Sequence, residues 1–138
     1  MVCRALLIEP EILLLDEPTA GMEAISRRQM WNLLRQLNQK GLTIVLTTHY
    51  IDEAQSLCDR VALINKGKLN TVDTPDHLIQ ELGTFAVDEV AEDNLVSRYF
   101  HNHSDVIAYM TEHPEATMRA TTLEDVFVER VGNRLSKK

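Results

Sequence analysis

Long hydrophobic runs are the first thing this 138-residue sequence lacks. Its longest apolar runs, such as Ala5-Leu6-Leu7-Ile8 and Ile12-Leu13-Leu14-Leu15, fall far short of the roughly 20 residues a membrane-spanning helix requires. Basic charge is also in short supply. Lys and Arg total 14 against 21 Asp and Glu, and the resulting charge of -7 gives no electrostatic reason to expect nucleic acid or an anionic membrane surface as a partner. Cys3 and Cys58 are the only thiols, far apart and without metal-ligand spacing, which suits a reducing cytosol and excludes a disulfide framework. Met1-Val2-Cys3-Arg4 is followed by too little apolar sequence, and by no small-residue cleavage site, to read as a signal peptide. Glycine is scarce and scattered, at 21, 41, 67, 83 and 132. A phosphate-cradling loop needs two glycines five residues apart followed by Lys and Ser or Thr, because the backbone must approach the phosphates closely. The sole Gly-Lys pair, Gly67-Lys68, precedes Leu69 and has Ala62 where the first glycine should stand.

What is present is a chain 44% apolar, long enough for one domain with a single core and short for two of ordinary size. Val2 to Glu9 reads as the tail of a helix ended by Pro10. Ile12 to Leu15 runs apolar without alternation, the pattern of a strand buried on both faces in a parallel sheet. Ile25, Met30, Leu33, Leu34 and Leu37 recur at helical spacing up to Lys40-Gly41, which predicts a helix over 24–39. Leu42 to Thr47 is rich in β-branched residues and reads as a second buried strand, completing a βαβ unit with a right-handed crossover. Ile51, Ala54, Leu57 and Cys58 mark one face of a short helix whose first turn carries Asp52 and Glu53, the sign its dipole favours.

Val61 to Ile64 and Leu69 to Val72 flank Asn65-Lys66-Gly67-Lys68 and predict a β-hairpin. Thr74-Pro75 opens a helix that Gly83 closes. From Thr84 to Pro114 the pattern weakens: Phe85 to Val90 suggests a strand and Asp105 to Met110 a helix, in a linker or small subdomain. Thr122 caps a last helix with Leu123, Val126, Phe127 and Val131 as its stripe and Gly132 as its stop.

Ligands of open α/β sheets sit beyond the carboxyl ends of the strands, and unusual polar residues stand there twice. Asp16-Glu17 follows the first buried strand, and His49 follows the second. Such a carboxylate pair suits a first residue that helps hold Mg²⁺ and a second that polarises water for attack on a phosphoryl group. Taken alone, an acidic pair more often just marks where a strand meets water. The full run Ile12-Leu13-Leu14-Leu15-Asp16-Glu17-Pro18-Thr19-Ala20-Gly21, with Thr47-Thr48-His49 beyond, reverses that reading.

This run closely resembles the Walker B segment, D-loop and H-loop of ABC-type ATPases. The stretches Arg4 to Ile12, Tyr50 to Ala54, Cys58 to Val61 and Ala120 to Phe127 extend the resemblance, the last matching the closing helix of ATP-binding subunits in multidrug and ABC-2-type exporters. It covers roughly residues 1–83 and 116–135. The resemblance implies a partial P-loop NTPase-type, RecA-like parallel sheet with flanking helices in an α/β chain, followed by a hairpin and a small C-terminal helical extension. Residues 1–83 would be the C-terminal half of the ATPase domain, and 84–138 a variable linker or subdomain. It further implies ATP and Mg²⁺ as cofactors, Asp16 at the metal, Glu17 as general base and His49 at the γ-phosphate, where an imidazole N–H registers the terminal phosphate. The D-loop acidic position usually holds Asp; here Glu23 follows Met22, a longer side chain at a contact made across an ATPase dimer.

The phosphate-cradling Walker A loop, the glutamine loop and the signature Leu-Ser-Gly-Gly stretch do not occur in the sequence. The chain alone is therefore expected to be inactive, because Asp16, Glu17 and His49 act only on a nucleotide already positioned. Expected partners are a second ATP-binding domain, a transmembrane permease subunit and a separate N-terminal half-subunit, at the cytoplasmic face of the membrane, without nucleic acid. Two other classes stay open: an ABC-like ATPase of DNA repair or chromosome organisation, which would bring a coiled coil or basic surface, and a non-catalytic interaction module. His101, His103 and His113 lack companion ligands and read as solvated surface; Trp31 reads as packing, and Tyr50 as a residue that orients the His49 loop.

Overall fold

The computed structural model describes residues 2–135, with side chains from 2 to 132. The chain divides into two compact units, Met1–Leu57 and Cys58–Lys138.

The first unit contains α1 (Val2–Leu6), β1 (Ile12–Asp16), α2 (Ala24–Gln39), β2 (Thr43–Thr47) and α3 (Ile51–Leu57). α1 stops short of the expected Glu9. Proline disfavours helical geometry in the residue before it, and Glu9 instead takes φ 48 after a turn closed by its N–H on the Leu6 carbonyl at 3.1 Å. β1 and β2 are parallel, registered Ile12 to Thr43 through Asp16 to Thr47, with α2 as the crossover. Among the described residues they pair only with each other, so both outer edges of the sheet are open. Alternate residues share a face. The face of Leu13, Leu15, Ile44 and Leu46 is covered, with Leu13 and the α2 residue Leu34 buried. The opposite face is bare: Ile12, Leu14 and Val45 are 60%, 74% and 53% exposed. The expectation of burial on both faces is thus met on one, because the described residues set a layer against only one side of these strands.

The second unit runs β3 (Val61–Asn65), β4 (Lys68–Asp73), α4 (Pro75–Leu82), β5 (Phe85–Ala91), β6 (Asn94–Phe100), α5 (His103–Glu112), β7 (Thr117–Ala120) and α6 (Leu123–Leu135). β3 and β4 form the expected hairpin, turning at Lys66 and Gly67 with φ 49 and 72, the paired positive values that match the strands' twist. Thr74 accepts the His77 N–H at 3.2 Å to cap α4. Beyond Gly83 the weakly patterned stretch is a complete antiparallel sheet in the order β6-β5-β7. Val87, Val106 and Ala116 form its core, with Phe85, Phe100, Tyr109 and Met110 packed against them. Leu78 on α4 and Leu123 and Val126 on α6 are buried where these helices meet. That contact ties α4 to the C-terminal helix within the second unit.

α6 passes through Gly132, expected as its stop, and continues to Leu135. Glycine weakens a helix interior by about 1 kcal/mol without forbidding it. Arg119 on β7 links this helix to the sheet. Its guanidinium donates to Asp88 at 2.6 Å and to Asp125 at 2.7 and 2.9 Å, while the Thr122 N–H reaches Asp125 at 2.8 Å. Burial alone would raise the Asp125 carboxyl, but the bonds from Arg119 and Thr122 outweigh it and bring the pKa down to about 2. Burial, followed by the Asp125 charge, pushes the Tyr99 phenol up to about 12.

Candidate functional site

The sheet of the first unit presents its carboxyl ends together, and in-register pairing sets the positions. Asp16 is opposite Thr47, and the Thr47 hydroxyl donates to Asp16 Oδ1. One step beyond β1, Glu17 adopts φ 48 and its N–H donates to the Thr47 carbonyl at 2.9 Å, adding a rung past the end of the ladder. The turn closes with the Ala20 N–H on the Glu17 carbonyl and the Met22 N–H on the Thr19 carbonyl, each at 3.1 Å. Beyond β2, the Tyr50 N–H bonds the Thr48 hydroxyl at 3.0 Å, and His49 swings back so that its Nδ1 lies 2.7 Å from Glu17 Oε2. A carboxylate only accepts, so the ring nitrogen donates.

Asp16, Glu17 and His49 thus stand on one edge of the sheet. The His49 side chain is 68% exposed and that of Glu17 33%, so an incoming group can reach both. Glu23 is apart from them: it is exposed and occupies the N-cap of α2 without a side-chain cap bond, while its carbonyl receives the Arg27 N–H at 2.9 Å.

Five residues around this edge have contacts that sequence patterning did not assign: Thr19, Arg27, Trp31, Tyr50 and Glu53. Glu53, read only as a first-turn acid that the helix dipole favours, is fully buried. Its Oε2 accepts from the Thr19 hydroxyl and from Trp31 Nε1 at 2.9 Å. Trp31 therefore makes a polar contact besides packing. Tyr50, Glu53, Ala54 and Leu57 stand at i, i+3, i+4 and i+7, so Glu53 occupies the inward stripe of α3; that spacing was the available signal, and its charge concealed it. Tyr50 stacks obliquely on His49 with ring centroids 4.2 Å apart, and the Arg27 guanidinium lies 5.4 Å from the Tyr50 ring and 5.7 Å from Trp31.

The donor set can be tested against Mg²⁺. This cation keeps several waters and takes one or two protein carboxylates, its remaining oxygens coming from phosphates. Asp16, exposed and oriented by the Thr47 hydroxyl, fits that demand. Among the described residues no group of three or more His, Cys, Asp or Glu gathers for a metal, including around His101, His103 and His113. Nor is any described helix long and apolar enough to cross a membrane.

No family model matches the chain. Curated relatives do. The Nod factor export ATP-binding protein I of Neorhizobium galegae is 34% identical over 99% of this chain and 46% of its own length. A fluoroquinolones export ATP-binding protein of Mycobacterium tuberculosis is 32% identical over 96% and 48%. The probable multidrug ABC transporter ATP-binding protein YbhF of Escherichia coli is 46% identical over 54% of this chain and 13% of its own length. Among solved structures, an inward-facing ABC transporter assigned to the metal-chelate type aligns with 76% of this chain and 45% of its own, at 20% identity and a TM-score of 0.53, which speaks to the fold. The chain spans about half the length of the export proteins it matches end to end. Its relatives in sequence are ABC-transporter ATP-binding proteins, as the expected Walker B, D-loop and H-loop runs implied, and its fold is similar to that of an ABC transporter chain.

Proposed function

We propose that the chain contributes the water-activating and phosphate-sensing half of an ATP-hydrolysing export subunit. The observation that carries this reading is the 2.7 Å approach of His49 to Glu17 beside Asp16 at the carboxyl ends of adjacent parallel strands. Glu17 takes the proton of the attacking water as general base. His49 reports on the terminal phosphate. While its Nδ1–H is donated to Glu17, the other nitrogen of a neutral ring holds a lone pair; to donate to a phosphate oxygen the ring takes up a proton or releases Glu17. Asp16 would hold Mg²⁺, which supplies charge neutralisation between phosphate oxygens. Glu23 would serve the contact across an ATPase dimer.

With Asp16 and Glu17 on the same edge, the local charge opposes an approaching polyphosphate, so the site depends on cationic groups from elsewhere in an assembled ATPase. A lysine-bearing glycine loop is such a group, and the sequence has none. The 138-residue chain alone is therefore inactive in this reading. Its partners are a segment supplying that loop, a second ATP-binding domain and a transmembrane permease, at the cytoplasmic membrane face. Residues 1–83 form the part shared with the ATPase domain. The relatives' names, all ATP-binding and two of them export proteins, support the exporter assignment over the DNA-repair class.

A chimera tests the reading. This chain replaces the matching half of a working export ATP-binding protein, and ATPase rate is measured. The chimera is expected to hydrolyse ATP, and Glu17→Gln to slow it by about 10²–10⁴-fold, the range for loss of a general base. A rate that survives Glu17→Gln, or a robust Glu17-dependent rate from the isolated chain, would overturn the corresponding half of the proposal.

A further inference from the structure

Glu53 takes no part in the chemistry above, yet it is a fully buried acid one helical turn beyond His49. Three segments meet at its carboxyl group. Thr19, itself buried and two residues beyond Glu17, donates its hydroxyl from the turn after β1. Trp31 donates its indole N–H from α2 at 2.9 Å. The third segment is α3, which carries Glu53 and starts just after His49, its first turn closed by the Glu53 N–H on the Tyr50 carbonyl at 3.1 Å.

A side chain this short sets the spacing between the segments it joins. A buried acceptor is also costly to leave without its donors, which makes the connection selective for one geometry. α2 braces the same region a second time, since Arg27 lies between the rings of Trp31 and Tyr50, and Tyr50 stacks on His49. Both donors converge on Oε2, leaving Oε1 buried without a hydrogen-bond partner among the described residues. One oxygen therefore carries the whole connection.

We infer that Glu53 is a positioning residue: its buried carboxyl group ties the turn that carries Glu17 to the helix that follows His49, and so holds these two side chains in their pairing. The inference rests on the functional reading for its significance, while the connection itself is testable without nucleotide.

The test uses the full chain and nuclear magnetic resonance of the His49 ring. Glu17→Gln defines the ring signal of an altered pair. Glu53→Met removes the acceptor while keeping an unbranched side chain, and is expected to move the His49 signal at least halfway to the Glu17→Gln position. Thr19→Val removes one donor and is expected to move it in the same direction. Glu53→Gln retains a carbonyl oxygen that accepts from both donors, and is expected to leave the signal near its original position. A purely structural role would lower the unfolding midpoint of Glu53→Met and leave the His49 signal in place; that result, in a variant with a dispersed folded spectrum, overturns the inference. Should Glu53→Met not fold, Thr19→Val decides: an unmoved signal overturns the inference and a moved one supports it. Failure of the chimera to need Glu17 would sink the functional reading and leave this coupling standing, so the two failures are distinguishable.

Discussion

Glu17 and Gly83 show how differently two positive φ angles are borne. Glu17, at φ 48, has its N–H held by Thr47 and its carbonyl by Ala20. An L-residue in that region carries strain of about 1–3 kcal/mol, tolerated when surrounding bonds over-determine it. Gly83, at φ 131, has no such latitude. A Cβ there would lie 2.9 Å from the Phe100 backbone nitrogen and 3.0 Å from its carbonyl oxygen, atoms fixed in β6. Gly83→Ala should therefore destabilise the second unit by more than about 2 kcal/mol, since strain and collision add. A thermal unfolding curve by circular dichroism checks this, and an unchanged midpoint would contradict the close approach. At Gly132 an added Cβ meets nothing within 4 Å. Gly132→Ala should accordingly raise stability by up to about 1 kcal/mol through helix propensity.

Among the elements, β5, β7 and α6 depend on one another through Arg119. Asp125, near 3.8 in its ordinary state, is held at about 2 in the fold. A carboxyl group depressed by folding contributes stability that is complete above its ordinary pKa and is lost as pH falls through its folded one. The window is therefore pH 4 down to 2, and the amount about 2 kcal/mol. Asp88, lowered chiefly by its Arg119 bond, adds in the same sense. Urea midpoints measured across this window should fall, and the fall should be shallower in Arg119→Met. Equal slopes would show that the ion cluster contributes nothing.

These elements also show where sequence patterning runs out. α2 and the β1-β2 pair were legible because apolar residues recur at helical spacing or form uninterrupted runs. β6 (Asn94–Phe100) and β7 (Thr117–Ala120) were not, since they interleave Asn, Ser, Arg and Thr with apolar residues, and their stability comes from pairing to β5. The turn between β5 and β6 hides in the same way. Glu92 and Asp93 take φ 49 and 64, a glycine-like turn made without glycine. In the site, Asp16, Glu17 and His49 announced themselves by motif, whereas Glu53 resembled any solvated acid in a helix's first turn. Its role depends on Thr19 and Trp31, which are 34 and 22 residues away in the chain.

Over the whole molecule, the 138 residues are shared between two small units, both below the roughly 100–150 residues most common for a domain. Trp31 is the single tryptophan and sits in the first, so its fluorescence follows that unit alone. The bare face of Ile12, Leu14 and Val45 should bind a hydrophobic dye in the native state, and Leu14→Gln should weaken that binding. Dye emission that is the same in both proteins would argue that the face is covered in solution.

Apolar side chains already in contact with water have little more to gain from it when the chain unravels. Urea unfolding followed at Trp31 should therefore be gradual, with a slope at or below about 1 kcal/mol per molar, the low end for small proteins. The accompanying heat-capacity increment should be small for the same reason, so the stability of the β1-β2 layer should change with temperature along a nearly straight line rather than a dome.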